Sequence, residues 1–317
     1  MTIAVKFADV LDAAGRIGPF IHRTPILTCQ TLDRLSGARL FFKCENFQKV
    51  GVFKIRGATN AVSLLSKDEA SRGVATHSSG NHAAALAVAA RGRGIKAYVV
   101  MPRNAPRVKK EAVAGYGAEI IFCEPTLESR ESTLAEVMER TGASLVHPYN
   151  DRRVIAGQGT AAMELCEETP GLDVVIAPVG GGGLLSGTAI AVSGMSPGTT
   201  ILAAEPERAD DACRSLKAGR IIPVEHPDTI ADGLRTSLGT LTFPIIQKHV
   251  SDILTVSEEA IVSSMRLIWE RMKVVVEPSA AVPLAAILGR PGRFSGKRVG
   301  VILSGGNVDL DALPWVR

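Results

Sequence analysis

Aromatic side chains are scarce in this chain: 9 Phe, 3 Tyr and 2 Trp, or 4% of 317 residues. A core with so few rings is filled by small aliphatics, which suits helices packed tightly on a parallel sheet. Cysteine is sparse too. The five residues (Cys29, Cys44, Cys123, Cys166, Cys213) are odd in number and widely spaced, with no C-x-x-C pair. That argues against a disulfide framework or a zinc site and for a reducing compartment. The first residues, Met1 to Asp9, lack the apolar core of a signal peptide, and the apolar run Ala83 to Ala90 is far too short to span a bilayer. A cytoplasmic protein with no membrane partner is expected. The net charge of +4 comes from dispersed basic residues. No nucleic-acid partner is expected, since that calls for a basic stripe; a small anionic ligand suits the balance better. Linkers, repeats and low-complexity tracts are also missing.

What is present is a regular alternation. The first helix is expected over 7–19, a strand over 40–45 and a helix over 57–66. From Gly73 onward, strands at 74–78, 96–101, 119–123 and 144–147 alternate with helices at 81–91, 107–115 and 127–140. A helix at 153–168 follows, then a strand at 173–178, a helix to Ser193 and a strand at 200–204. Helices at 258–273 and 278–288 and a strand at 298–303 close the pattern. Such alternation implies right-handed parallel crossovers, hence an α/β fold with open sheets covered by helices on both faces. The expected layout is a large lobe formed by residues 1–73 and 150–317, with a small lobe, 74–149, inserted in it. Ligand would bind between them, at the carboxyl ends of the strands.

Four stretches carry chemistry. In Lys43 to Ala58, Gly51 and Gly57 bracket Phe53-Lys54. A lysine among apolar neighbours is partly desolvated, which lowers its pKa and readies it for Schiff-base chemistry. Thr76-His77-Ser78-Ser79-Gly80-Asn81-His82 is a strand end opening a helix, whose free amides favour a carboxylate or phosphate. Val179-Gly180-Gly181-Gly182-Gly183 contains four consecutive glycines, a costly tract that lets backbone amides wrap a phosphate. It lacks the G-K-[ST] ending of a P-loop, and its glycine spacing is not G-x-G-x-x-G; mononucleotide-like phosphate binding is favoured over a dinucleotide. The fourth, Ser304-Gly305-Gly306-Asn307, places a hydroxyl at a strand's end, within reach of a bound ring. Lysine, carboxylate turn, phosphate cup and hydroxyl together suggest pyridoxal phosphate.

With these motifs, the sequence resembles the fold-type II pyridoxal-phosphate enzymes, in the branch of serine/threonine dehydratases and serine racemases. The pieces that carry the likeness are Phe53-Lys54-Ile55-Arg56-Gly57-Ala58, Ser78-Ser79-Gly80-Asn81-His82, Val154-Ile155-Ala156-Gly157-Gln158-Gly159-Thr160, the tetraglycine, Ala231-Asp232-Gly233 and Ser304-Gly305-Gly306-Asn307. The resemblance implies a tryptophan-synthase-β-like fold, a homodimer and a small amino-acid substrate. It implies that Lys54 carries the cofactor and is the base on one face of the substrate. Phe53 and Gly233 would flank the ring, Asn81 would bond its 3-oxygen, Gly180, Gly181, Gly182 and Gly183 would hold the phosphate, and Ser304 would face the pyridine nitrogen. Ser78, Ser79, Asn81 and His82 would bind the substrate carboxylate, and Ser79 stands where racemases keep the acid/base for the opposite face. Glu205, the Ala209 carbonyl and Asp211 resemble the branch's cation site for Mg²⁺, or Ca²⁺ or Mn²⁺.

The implied activity is deaminating dehydration of L-threonine or L-serine to a 2-oxo acid and ammonia. The alternatives are serine racemase, and a dehydratase of L-threo-3-hydroxyaspartate in which Arg130, or Arg152 and Arg153, pair with the extra carboxylate. A non-catalytic pyridoxal-phosphate or nucleotide-binding protein is the rival from another class. One departure stands out: Ala83-Ala84 occupy the place of the Gly-Gln of animal racemases, whose glutamine contributes to a nucleotide effector site.

Overall fold

The computed structural model describes residues 5–78, 80–105 and 107–315. Among the described residues ten strands build two sheets: β1 (Ile26–Leu27), β2 (Arg39–Cys44), β3 (Val74–His77), β4 (Ala97–Pro102), β5 (Glu119–Cys123), β6 (Ser144–Leu145), β7 (Val174–Pro178), β8 (Thr200–Pro206), β9 (Asp252–Val256) and β10 (Arg298–Leu303). The larger sheet runs β1-β2-β10-β7-β8-β9 and the smaller β5-β4-β3-β6. Every pairing is parallel except the short edge pair β1–β2. The architecture is thus the two mainly parallel sheets with covering helices that the alternation implies.

The large sheet shows why its strands read as unbroken apolar runs. Val175, Ala177, Ile201 and Ala203 face one core with the helices Arg152–Glu168 and Gly183–Met195, while Val174, Ile176, Leu202 and Ala204 face another with Pro278–Leu288. Alternate residues point to opposite sides, and both sides are buried. The helix Lys54–Ser63 packs by Ile55, Ala58, Ala61 and Val62 against the helix Asn81–Arg93, so the helix that begins at the lysine leans on the small sheet's covering layer.

Several boundaries differ from the sequence reading. The helix expected from Gly57 begins at Lys54, because three-residue turns at Glu45–Phe47 and Lys49–Gly51 absorb the chain after β2. Strand β8 extends to Pro206, which carries Glu205 inside the sheet. The helix expected over 258–273 changes to a π-helical turn at Ile268–Met272 and stops at Lys273, whose φ of +61° is left-handed. The structure adds short helices at Gln30–Ser36, Asp211–Ala218 and Thr242–His249 and strand β9, all too short to show a clear apolar period in sequence. Among the described residues no helix is long and apolar enough to cross a membrane.

Candidate active site

Four turns at the carboxyl ends of β2, β3, β7 and β10 carry the residues singled out above. Lys54 is the first residue of its helix, with Phe53 at the cap. The half-buried Lys54 donates from Nζ to the Pro148 carbonyl at 2.8 Å, with Nζ 5.1 Å from the Phe53 ring centroid. Burial lowers its pKa to about 8, and the Glu277 carboxylate opposes part of that shift. Between pH 8 and the ordinary 10.5 the unfolded chain binds this proton and the folded one does not. The group therefore weakens the cofactor-free fold below pH 8, and the penalty fades as pH rises. The same shift raises the free-amine share of Lys54 at pH 7 to about a tenth, several hundred times that of an ordinary lysine. Acylation of Lys54 by acetic anhydride, read from the mass of its peptide, should quicken up to about pH 8 and then level; a rate still rising at about pH 10 would contradict this.

The segment before the lysine is sewn to the β10 turn. Phe53 N–H donates to the Ser304 carbonyl (3.0 Å), Gly306 N–H to the Gly51 carbonyl (2.9 Å), and Val52 pairs with Gly305 as an antiparallel bridge. Asn307 Nδ2 donates to the Val50 carbonyl (2.8 Å) and to Asn81 Oδ1 (2.9 Å). Asn81 Nδ2 in turn faces both oxygens of Glu277 at 3.1 and 2.9 Å. Ser304 is 2% exposed, and its Oγ is buried with no hydrogen-bond partner. An orphaned hydroxyl at that depth costs free energy unless a ligand meets it, and a ring nitrogen without a proton fits it.

The tetraglycine is shaped by its neighbours. Gly182 has φ +88° and caps the helix Gly183–Met195, whose first amides have no partner within the helix. A Cβ on Gly181 would lie 2.3 Å from Tyr149 Cγ and one on Gly180 2.9 Å from Leu234 Cα. Thr242 Oγ1 donates to the Gly181 carbonyl at 2.9 Å and ties the loop to the helix Thr242–His249. Gly233 N–H donates to Ser279 Oγ at 3.2 Å. The chain thus offers an anion cradle, a lysine and a hydroxyl, the set that pyridoxal phosphate requires.

On the opposite wall Ser78 follows directly on β3, its N–H donating to the Val100 carbonyl at 3.1 Å, and Asn81 begins the next helix. Ser79 lies outside the described residues. His82 is 2% exposed, and its Nε2 donates to the Val146 carbonyl at 3.0 Å. Burial, with Lys54 nearby, pushes its pKa down to about 3. Its Nδ1 is then a bare acceptor, so His82 can serve a carboxylate through its main-chain N–H. His147 accepts at Nδ1 from Tyr149 N–H (3.2 Å) and Asn150 N–H (2.9 Å), and burial pushes its pKa to about 4. His77, also lowered by burial, lies edge-on to His147 at 6.1 Å, and His147 edge-on to Tyr149 at 4.6 Å. These three imidazoles are neutral near pH 7 and bring no positive charge to the wall.

Two charges of opposite sign act on His77, Glu131 more strongly than Arg130, and Arg130 Nε is buried without a hydrogen-bond partner. Arg152 and Arg153 do not share this position. Arg152 is exposed, and Arg153 is committed to Asp151 at 2.7 Å and to the Leu145 carbonyl at 2.9 Å.

Away from this cleft, Glu205 accepts from Cys213 N–H (2.6 Å) and Ala212 N–H (3.3 Å), while Asp211 Oδ2 is buried without a partner. Burial raises Glu205 to about 9 and Asp211 to about 7. Two crowded carboxylates with an unsatisfied oxygen fit a hard divalent cation, although no group of three His, Cys, Asp or Glu side chains suited to a metal occurs among the described residues.

Tyr149, His147, Glu277 and Asn307 escape the sequence reading as site residues. Only Asn307 belongs to a motif visible in sequence; the others reach the cleft through pairings of chain segments too distant to see there.

A family model described as pyridoxal-phosphate dependent enzyme matches residues 17–305. The chain is 58% identical over 309 residues to a beta-hydroxyaspartate dehydratase of Paracoccus denitrificans, covering 98% of each protein. It superposes on the serine racemase of Dictyostelium discoideum with a TM-score of 0.93 at 50% identity, over 96% of this chain and 99% of that one. With the maize serine racemase the TM-score is 0.94 at 48% identity, over 97% of this chain and 95% of that one.

Proposed function

The chain belongs to the pyridoxal-phosphate dependent enzymes, in the fold-type II branch of dehydratases and serine racemases, and from that premise we propose that it is a deaminating dehydratase of β-hydroxy amino acids that prefers 3-hydroxyaspartate. The observation that supports this preference over serine or threonine is Arg130. A guanidinium whose Nε is buried and unpartnered, beside a wall of neutral imidazoles, suits a second substrate carboxylate. The sequence similarity to a dehydratase of that substrate points the same way.

In this reading Lys54 carries the cofactor, Gly180 to Gly183 hold its phosphate, Ser304 meets the ring nitrogen, and Phe53, Gly233 and Asn81 fix the ring. The cofactor, when bound, withdraws electrons from the substrate's α-carbon. Ser78, Asn81 and the first amides of the helix from Asn81 orient the α-carboxylate. Lys54, freed as a neutral amine, takes the α-proton at Nζ, and its lowered pKa suits that transfer near neutrality. The β-hydroxyl leaves with a proton as water. The released enamine is hydrolysed to the 2-oxo acid and ammonia, so the water lost is regained. A divalent cation held by Glu205, Asp211 and the Ala209 carbonyl belongs to this reading, as does a homodimer.

Arg130→Gln tests the preference. It should raise KM for L-threo-3-hydroxyaspartate about 10- to 100-fold, the worth of one charge-assisted contact, and leave serine turnover within about threefold. An equal loss with both substrates would remove Arg130 from specificity.

A further inference from the structure

A second cavity, of about 360 Å³, opens beside the cleft where the first helix, the lysine segment and the helix Asn81–Arg93 meet. Its apolar surface comes from Phe20, Ile55 and Val88, and its charge from Arg16, Lys49 and Arg93. Among the described residues no acidic side chain lines it. None of these three cations forms an ion pair among the described residues.

The two guanidiniums are nonetheless fixed. Arg16 Nη1 donates to Asn60 Oδ1 at 2.6 Å, and Asn60 is itself held by its Nδ2 on the Arg153 carbonyl at 2.7 Å. Arg93 donates to the carbonyls of Val62 and Leu65, the latter at 2.7 Å. All these acceptors are neutral. They orient the guanidiniums and leave their charge uncompensated, which is the condition of a preorganised anion site rather than of an internal salt bridge. Three like charges at one cavity also repel one another, and a bound anion relieves that. The volume falls at the small end of ordinary ligand sites.

We infer that this cavity binds a small organic anion, a carboxylate or phosphate monoester on a compact apolar body. Phe20, Ile55 and Val88 cover the body, and Arg16, Lys49 and Arg93 hold the charged end. The site touches Ile55, the residue after Lys54, and Val88 and Arg93 on the helix that Asn81 begins, so occupancy ties the lysine helix to the substrate-carboxylate turn.

The test is calorimetric titration of the cofactor-loaded protein with phenyl phosphate, inorganic phosphate and benzyl alcohol, with the visible absorption followed to show that the cofactor stays in place. Phenyl phosphate should bind saturably and at least about tenfold more tightly than either fragment, because each fragment forfeits the charge or the apolar contact. Arg16→Gln with Arg93→Gln should weaken it about tenfold or more while basal turnover is retained, which also shows that the variant folds. Lys49→Gln should weaken it in the same direction. No saturable binding to the parent protein, or equal binding to parent and variants, would overturn the site.

Discussion

Lys54→Ala should abolish the visible absorption of the bound cofactor and lower turnover by about 10²–10⁴-fold through loss of the base alone. Both effects trace to one atom. Nζ sits at the start of its helix, 2.8 Å from the Pro148 carbonyl, with its ammonium disfavoured by burial. An alanine keeps the helix, since nothing in its first turn depends on the lysine side chain, so the protein should remain folded and its phosphate cradle intact. Adding a primary amine such as methylamine should recover part of the activity by supplying a diffusible base. A variant that retains the absorption and deaminates at the parental rate would show that another lysine does this work.

The largest stability effect is expected at Arg56, two residues on. It is fully buried, and its guanidinium meets Glu45 at 2.7 and 2.8 Å and Glu164 at 2.7 and 2.8 Å. Lys43, also fully buried, meets Glu164 at 2.6 Å and the Thr24 carbonyl at 2.7 Å. Two cations balance two carboxylates away from water, and Arg56 belongs to the lysine helix itself. Arg56→Ala leaves Glu164 to Lys43 and Glu45 to the Thr24 hydroxyl, a buried carboxylate stripped of its cation, and the expected loss is about 3–5 kcal/mol in urea unfolding. Burial pushes Glu164 up, but Arg56 and Lys43 outweigh it and hold its pKa below the usual range. Its stabilisation is therefore present above the unfolded carboxylate pKa and fades as pH falls. The deficit of Arg56→Ala should shrink on acidification for the same reason. Replacing all four members with apolar residues of similar volume should cost less than the single substitution; the reverse order would mean that the network itself, not the stranded charge, supplies the stability.

The parts of the site that follow one strand's carboxyl end are readable in the sequence, because turn chemistry is local: four glycines, a serine after β10, a lysine between glycines. The fold class is readable for the same reason, as alternating apolar runs need no knowledge of partners. What escapes needs the third dimension. Glu277 precedes a proline-started helix and meets Asn81 across 196 positions of chain. Tyr149 reaches the tetraglycine only because β6 ends beside β3. Among Arg130, Arg152 and Arg153, sequence does not choose. The structure separates them by their partners: Asp151 engages Arg153, solvent surrounds Arg152, and Arg130 keeps an unmet buried nitrogen.

The central claim is a lysine-borne cofactor serving elimination from a dicarboxylic β-hydroxy amino acid. The most direct test supplies the cofactor-loaded, Mg²⁺-treated protein with L-threo-3-hydroxyaspartate, L-serine and L-threonine in parallel, scoring 2-oxo acid, ammonia and D-amino acid separately. The expected result is oxaloacetate and ammonia in equal amounts from hydroxyaspartate, with the highest kcat/KM of the three and little D-amino acid. D-serine forming faster than any 2-oxo acid, or threonine turning over best, would contradict it.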